Sequence, residues 1–371
     1  MGGIFPAQVA LAASPFIRHF NTVSTVASTV PPSPGNGDIN PYGVFAVPLS
    51  ANMGNLVGGD ILVSNFNNSA NQQGRGSTIV QISPSGKFSV FAQIDPMKLP
   101  GACPGGVGLT TALVVLKRGW VIVGSLPTSD GTSATMQSGC LIVLDSQGNV
   151  VETFAGNGIN GPWDMTVSDD DGTAMLFETN VLNGNVAMAP FDMPVNQGTI
   201  LRIPLTVPNQ GDGIPRMGQP VTIGSGFSEE SDPAALVIGP TGVGIGEDGT
   251  LYIADTVNSR IAAIPNAFGS FSSPGTGTTV TVGGKVNGPL GLTIAPNGDI
   301  LTVNGADSNI VETTPSGAQV AHRLLDHTVT KPPPPPATPR GAGCLFGVAI
   351  APSGTGVNFV DDCDNTLKLL S

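Results

Sequence analysis

Oxygen-bearing side chains recur at one position of this 371-residue chain, just after a short apolar run: Asn65, Ser125, Glu178, Asp255, Asn304 and Asp361. Three are carboxylates, two are amides and one is a hydroxyl. Gathered on one axis, such a ring suits calcium, a hard cation that takes six to eight oxygen ligands. Asp362, Asp364 and Asn365 add further oxygen beside Asp361. The competing role is structural, because an Asp or Asn at a strand end bonds the backbone N–H groups of its own turn. A second series opens another recurring run: Tyr42, Gly105, Trp163, Thr241, Leu290 and Phe346. Its aromatic faces can stack on sugars, aromatics or apolar ligands, or can simply plug a channel. Asp164 follows Trp163 where the other units carry Gly43, Gly106, Gly242, Gly291 and Gly347. That lone carboxylate is the first candidate for an acid, a base or a polar anchor.

Several chemistries lack their residues. The three histidines, His19, His322 and His327, fall in neither series, which argues against histidine-bound zinc. No G-x-S-x-G elbow, Walker loop or strand-to-helix dinucleotide fingerprint occurs. Only 14 Lys and Arg set against 26 Asp and Glu give a net charge of −12, a repulsive field for nucleic acid and for anionic membranes. Few ionisable groups and an isoelectric point near 4.4 suit an acidic extracellular setting. Four cysteines without a C-x-x-C suit an oxidising compartment. Met1–Ala13, with Ala10-Leu11-Ala12 in A-x-A form, reads as a residual export signal or disordered leader. No later run approaches the roughly 20 apolar residues that span a bilayer.

The elements that must position these residues are a repeat. Its cleanest unit, Gly288–Leu324, parses as four short strands with Pro-Asn-Gly and Pro-Ser-Gly turns. The same order recurs from Asn40, Cys103, Gly161, Gly239 and Cys344. The last unit stops after three strands, and Ser14–Ser24 supplies a fourth from the N-terminus. The chain is therefore predicted to be all-β: one six-bladed β-propeller over 14–371, closed by its N-terminal strand so that no inner sheet edge is left open. Cys103 and Cys140 begin the first and third strands of blade two, while Cys344 begins the first strand of blade six and Cys363 lies in the turn just before its third. That placement selects the pairs Cys103–Cys140 and Cys344–Cys363. The segment 327–343, with prolines at 332–336, reads as a stiff connection between blades five and six.

The pattern G-P-x-G-V…G-x-L-Y-I-A-D…N-x-R-I, sharpest over Gly239–Ile264, resembles the NHL repeat. It is similar to the wider group of six-bladed propellers that includes gluconolactonases and strictosidine synthase-like proteins, over Asn40–Ser371. The resemblance implies that inter-blade connections and second-to-third-strand loops share one face, where related propellers bind ligands. In gluconolactonase-like relatives Asn and Asp in comparable stretches hold a divalent metal. Here those positions are aromatic, small or aliphatic, which counts against a metal-dependent lactonase. The catalytic glutamate of strictosidine synthase-like enzymes has no clear match; Glu178 is the nearest central glutamate. The preferred reading is a secreted, extracellular or periplasmic binding or scaffold module with its ligand site at the channel mouth. Tyr42, Trp163, Asp164, Thr241, Leu290 and Phe346 would take a small neutral ligand, a glycan or a protein segment. Calcium on Asn65, Glu178, Asp255, Asn304 and Asp361 would stabilise it. The alternatives are a hydrolase or lyase using Asp164 or Glu178, and a structural subunit of an envelope or surface assembly.

Overall fold

Apolar runs such as Ile61-Leu62-Val63 and Cys140-Leu141-Ile142-Val143-Leu144 lack the alternation of a half-exposed strand, and they fold as strands buried on both faces. Outer strands alternate instead, as in Gln319–Leu324, where every second side chain meets solvent. The computed structural model describes residues 14–183, 192–328 and 340–371. Among them, six antiparallel sheets, five of four strands and one (blade three) extended to six, are arranged as a six-bladed β-propeller. The innermost strands are Ile39–Ala46, Leu109–Val115, Pro162–Asp169, Pro240–Ile245, Pro289–Ile294 and Leu345–Ile350. Each packs beside the next, and the sixth returns to the first, so they line a central channel. The expected leader over 1–13 and the proline run 332–336 lie outside the described residues.

Ring closure follows the predicted logic with a different segment. The strand that completes blade six is Val23–Ser28, paired with Thr366–Leu370, and it overlaps the expected Ser14–Ser24 only at its start. Phe16–His19 forms a single 3-10 turn. Burial explains the shift. Ile17 is needed in the core beside Val348 and Phe359, and the Glu312 carboxylate accepts the backbone N–H groups of Phe16 and Ile17 at 2.5 and 2.9 Å. Both predicted disulfides are present, Cys103–Cys140 and Cys344–Cys363, each with Cα atoms 5.1 Å apart.

Blade three departs from the repeat. Its fourth strand, Val221–Asp232, runs 12 residues and turns back through Leu236–Ile238, forming a hairpin. Asp232 builds that turn by accepting the N–H groups of Ala234 and Ala235 at 2.8 and 3.0 Å. Its other oxygen accepts the N–H of Gly341 at 3.1 Å, tying the hairpin to the end of the connection into blade six. The run Glu229-Glu230-Ser231-Asp232 is thus buried.

Candidate functional site

The channel is open at one end only. At the face formed by inter-blade connections, Phe66, Tyr42, Phe346 and Trp163 lie roughly parallel across the axis. Their successive ring centroids are 4.4, 3.8 and 6.4 Å apart. Leu126, Val181, Val257, Leu290 and the hairpin residues Ala235–Ile238 pack with them into one apolar cluster. The Trp163 indole N–H donates to the Val237 carbonyl at 3.1 Å, which locks the hairpin onto the plug. Tyr42, Trp163, Leu290 and Phe346 are brought together in one buried cluster, a sealed plug. Thr241 is also buried, and its hydroxyl contacts the Thr256 hydroxyl at 2.6 Å and the Pro289 carbonyl at 3.1 Å. The expected aromatic-lined mouth on this face is closed.

Gly105 does not belong to the series. The innermost strand of blade two begins at Leu109, which pairs with Ser125, and its register then slips before Leu113. The equivalent residue is Thr110, which lines a small void in the plug with Thr111. The notional glycine series has a steric origin elsewhere in the ring. A Cβ on Gly291 would stand 2.0 Å from the Phe346 carbonyl oxygen, and one on Gly347 would stand 2.3 Å from that of Tyr42. Neighbouring inner strands approach too closely there for a side chain. Blade two, with Thr111, and blade three, with Asp164, carry side chains there, and both line the space below.

Below the plug a cavity of about 340 Å³ opens to the face of the first-to-second-strand turns. Its wall is mostly apolar, with Val44, Leu113, Val243, Leu292, Ile294 and Val348 from five of the blades. Asp164 lies among its lining residues and is the one titratable side chain among the described residues there. One Asp164 oxygen accepts the N–H of Met165 at 2.8 Å, and the other accepts that of Val243 at 3.2 Å. Burial nevertheless pushes its carboxyl well above the usual carboxylate range, against the pull of those two N–H groups. Both oxygens are engaged as acceptors, and burial shifts the balance toward the protonated form, which has one proton to donate.

The oxygen series is used locally. Register places the true member of blade three at Asn180, which faces Pro162 as Asn65 faces Pro41, Asp255 faces Pro240 and Asn304 faces Pro289. The eight-residue strand Thr173–Asn180 runs past Glu178, which pairs instead with Met165 and Leu201. Glu178 is fully buried and is not among the residues that line the cavity, and the Asn180 side chain is the one group that draws its carboxyl toward the charged form. Burial holds its carboxyl well above the normal range. Asn65 donates to the Thr29 carbonyl at 2.9 Å, and Asn304 to that of Lys285 at 2.8 Å. Ser125 accepts the Gly108 N–H at 3.0 Å, and Asn180 accepts those of Asn160 and Gly161 at 3.0 and 3.1 Å. Asp255 binds the Arg260 guanidinium at 2.8 Å, and Asp361 binds the Lys368 ammonium at 2.6 Å. Turn-building and ion pairing account for these contacts. Among the described residues, the grouping of three or more His, Cys, Asp or Glu fit for a metal is Asp326, Cys344, Asp361 and Cys363, and its two sulfurs are joined. The three histidines are exposed and remote from the channel lining.

No protein-family model matches the chain, and no curated protein matches it in sequence. Solved structures share its fold. A gluconolactonase from Xanthomonas campestris aligns with a TM-score of 0.53 at 13% identity, over 94% of this chain and 88% of its own. The PQQ-bound aldose sugar dehydrogenase of Streptomyces coelicolor gives 0.53 at 14% identity, over 94% and 98%. Regucalcin from Agrobacterium tumefaciens, a calcium-binding protein, gives 0.51 at 13% identity, over 90% of each chain. At such identities the likeness is one of fold.

Proposed function

We propose that this chain is an exported propeller of the NHL type that binds a small neutral ligand in its blind channel, entered from the first-to-second-strand turn face. Asp164 carries this reading. A carboxyl that burial pushes toward its protonated form, set in a largely aliphatic wall with Thr111, Thr166 and Thr293, favours a ligand with an apolar body and a hydrogen-bond acceptor, such as a carbonyl. Anionic ligands would meet an uncompensated charge in an apolar wall. The gluconolactonase among the structural neighbours fits the hydrolase alternative. Binding is favoured because hydrolytic acid–base work calls for a second positioned group, and Asp164 stands alone among the described lining residues. Two disulfides support export to an oxidising compartment.

The test is fluorescence titration with the neutral apolar probe N-phenyl-1-naphthylamine, followed by displacement with neutral ketones and lactones and with carboxylates of equal size. Thr293 lines the channel, so Thr293→Trp should fill it and abolish probe binding. Neutral carbonyl compounds should displace the probe and carboxylates should not. Undiminished probe binding by a folded Thr293→Trp variant would sink the proposal.

A further inference from the structure

Four ligand-type side chains meet where the ring closes. Asp326 follows the outer strand of blade five, Cys344 precedes the inner strand of blade six, and Asp361 and Cys363 frame that blade's next turn. One oxygen of each aspartate and the two sulfurs lie within 4.8 Å of one another. Asp326, Cys344 and Asp361 are buried, while Cys363 is exposed. With the sulfurs joined, this is not a metal centre, and a built-in cation offsets part of its negative charge. The Lys368 ammonium stands 2.6 Å from Asp361 and 2.8 Å from Asp364. Burial opposes that charge, but the two carboxylates outweigh it and hold the lysine above its usual value.

We propose that reduction of Cys344–Cys363 converts this cluster into a zinc site with two cysteine and two aspartate ligands. A dithiol reductant attacks the exposed Cys363 sulfur, the S–S bond breaks, and Cys344 leaves as a thiolate. The second thiol of the reductant then displaces Cys363 from the mixed disulfide. The reductant departs as its own disulfide, and the protein gains two electrons and two protons as two thiols. Zinc binding releases both thiol protons to solvent, because the thiolate is the ligand.

Size and charge both favour zinc. Bond lengths of about 2.3 Å to sulfur and about 2.0–2.2 Å to oxygen place tetrahedral ligand atoms roughly 3.3–3.8 Å apart, inside the span observed. Two thiolates and two carboxylates cannot stay ionised together in a buried cluster unless a cation joins them. Lys368 can yield Asp361 without losing its partner, since it also holds the half-exposed Asp364. The two states clamp different parts of the seam. The disulfide joins Cys344 to Cys363 within blade six. The zinc form adds Asp326, and so holds both flanks of the 329–339 connection. Thr328 already bridges those flanks, donating to Asp326 at 2.7 Å and meeting the Cys344 sulfur at 3.4 Å. Cys103–Cys140 has no such gathered carboxylates among the described residues and serves as an internal control.

The experiment reduces the full chain with a phosphine, removes the reductant anaerobically, and adds Zn(II) or Co(II) alone. Bound metal is counted after gel filtration, thiolate-to-cobalt charge transfer is read in the near ultraviolet, and folding is followed by circular dichroism. One equivalent should bind to the reduced chain and to reduced Cys103→Ala/Cys140→Ala, and none to the oxidised chain. Cys344→Ala/Cys363→Ala should lose the site and its charge-transfer band. Asp326→Asn/Asp361→Asn should weaken binding at least tenfold. If reduction unfolds the chain, zinc should restore the native spectrum in the chain that retains Cys344 and Cys363. A folded, reduced chain that takes up no metal would overturn the proposal. So would equal uptake without Cys344 and Cys363, or unfolding that zinc does not reverse.

Discussion

The two ends of the channel are built from the same six strands and differ in nearly everything else. At the closed end, side chains from several blades cross the axis, four aromatic rings stack, and a hairpin peculiar to blade three is pinned over them. At the open end, the same strands present Val, Leu, Ile and Thr that stop short of one another and leave about 340 Å³. One end holds the blades together; the other leaves room for a ligand. The difference is a matter of side-chain reach, since the backbone ring is shared. Substitutions at the two ends should therefore fail in different ways.

The largest effect is expected at the plug. Trp163→Ala removes a buried indole, the hydrogen bond to Val237 and the stack on Phe346, and it leaves a cavity. It should cost about 3–5 kcal/mol in urea unfolding. Thr293→Val at the open end, where the side chain is part-exposed, should change stability by no more than about 0.5 kcal/mol. Equal losses at the two sites would erase the proposed division of labour.

The second contrast is in pH dependence. Glu229, at the base of the hairpin, is buried, and burial pushes its carboxyl from 4.5 up to about 8, against the pull of the Asn183 N–H. A raised folded pKa means that the native state keeps a proton which the unfolded chain releases. That stability is complete below pH ~4.5 and is lost as pH rises through 8. Glu229→Gln should flatten the fall by about one proton, or roughly 1.4 kcal/mol per pH unit between pH 5 and 8. Unfolding curves at four pH values decide it, and an unchanged slope would remove Glu229 from the account.

The repeat made the fold legible because each blade repeats one hydrophobic order, so a strand missed in one unit is recovered from the next. Cysteine pairing was legible for the same reason. The errors have local causes. Blade two carries a register slip between Leu109 and Leu113, so spacing pointed to Gly105 where Thr110 stands. Blade three carries an eight-residue second strand, so Glu178 was read for Asn180. Which end of the channel is open could not be read at all. It depends on the hairpin at Glu230–Ile238 meeting Trp163, a contact 74 residues apart in sequence that leaves no periodic trace. Asp164 was legible because most of the other blades carry glycine at its position, although blade two carries Thr111 there, and it lies on the cavity side of the plug and not at the expected mouth.

Asp164 supplies a third, smaller contrast, in binding. Asp164→Asn keeps size and neutrality but leaves one acceptor oxygen for the two backbone donors of Met165 and Val243. Affinity for a neutral carbonyl ligand should fall about tenfold or less at neutral pH, the worth of one hydrogen bond. The pH profile separates the two proteins further. Affinity of the parent chain should decline as pH rises through the raised titration of the Asp164 carboxyl and the donor proton is lost, whereas the Asn variant should be flat. Parallel profiles would show that the Asp164 proton is not what the ligand reads.

The smallest effect returns to the plug and has the opposite sign. The Tyr42 hydroxyl is buried without a hydrogen-bond partner, and burial, with Asp362 and Asp232 nearby, holds its pKa well above normal. An unsatisfied buried hydroxyl costs desolvation and returns nothing. The ring itself supplies the stacking on Phe66 and Phe346 at 4.4 and 3.8 Å. Tyr42→Phe keeps both stacks and deletes the liability, so it should leave stability unchanged or raise it by up to about 1 kcal/mol. Thermal melting is sensitive enough to see that shift. A loss of more than about 1 kcal/mol would mean that the hydroxyl has a partner, such as ordered water in the small void lined by Tyr42 and Thr110, and that the plug is partly a hydrated polar site. The closed end would then be a second place where a ligand's polar group could be received, and its contrast with the open end would narrow.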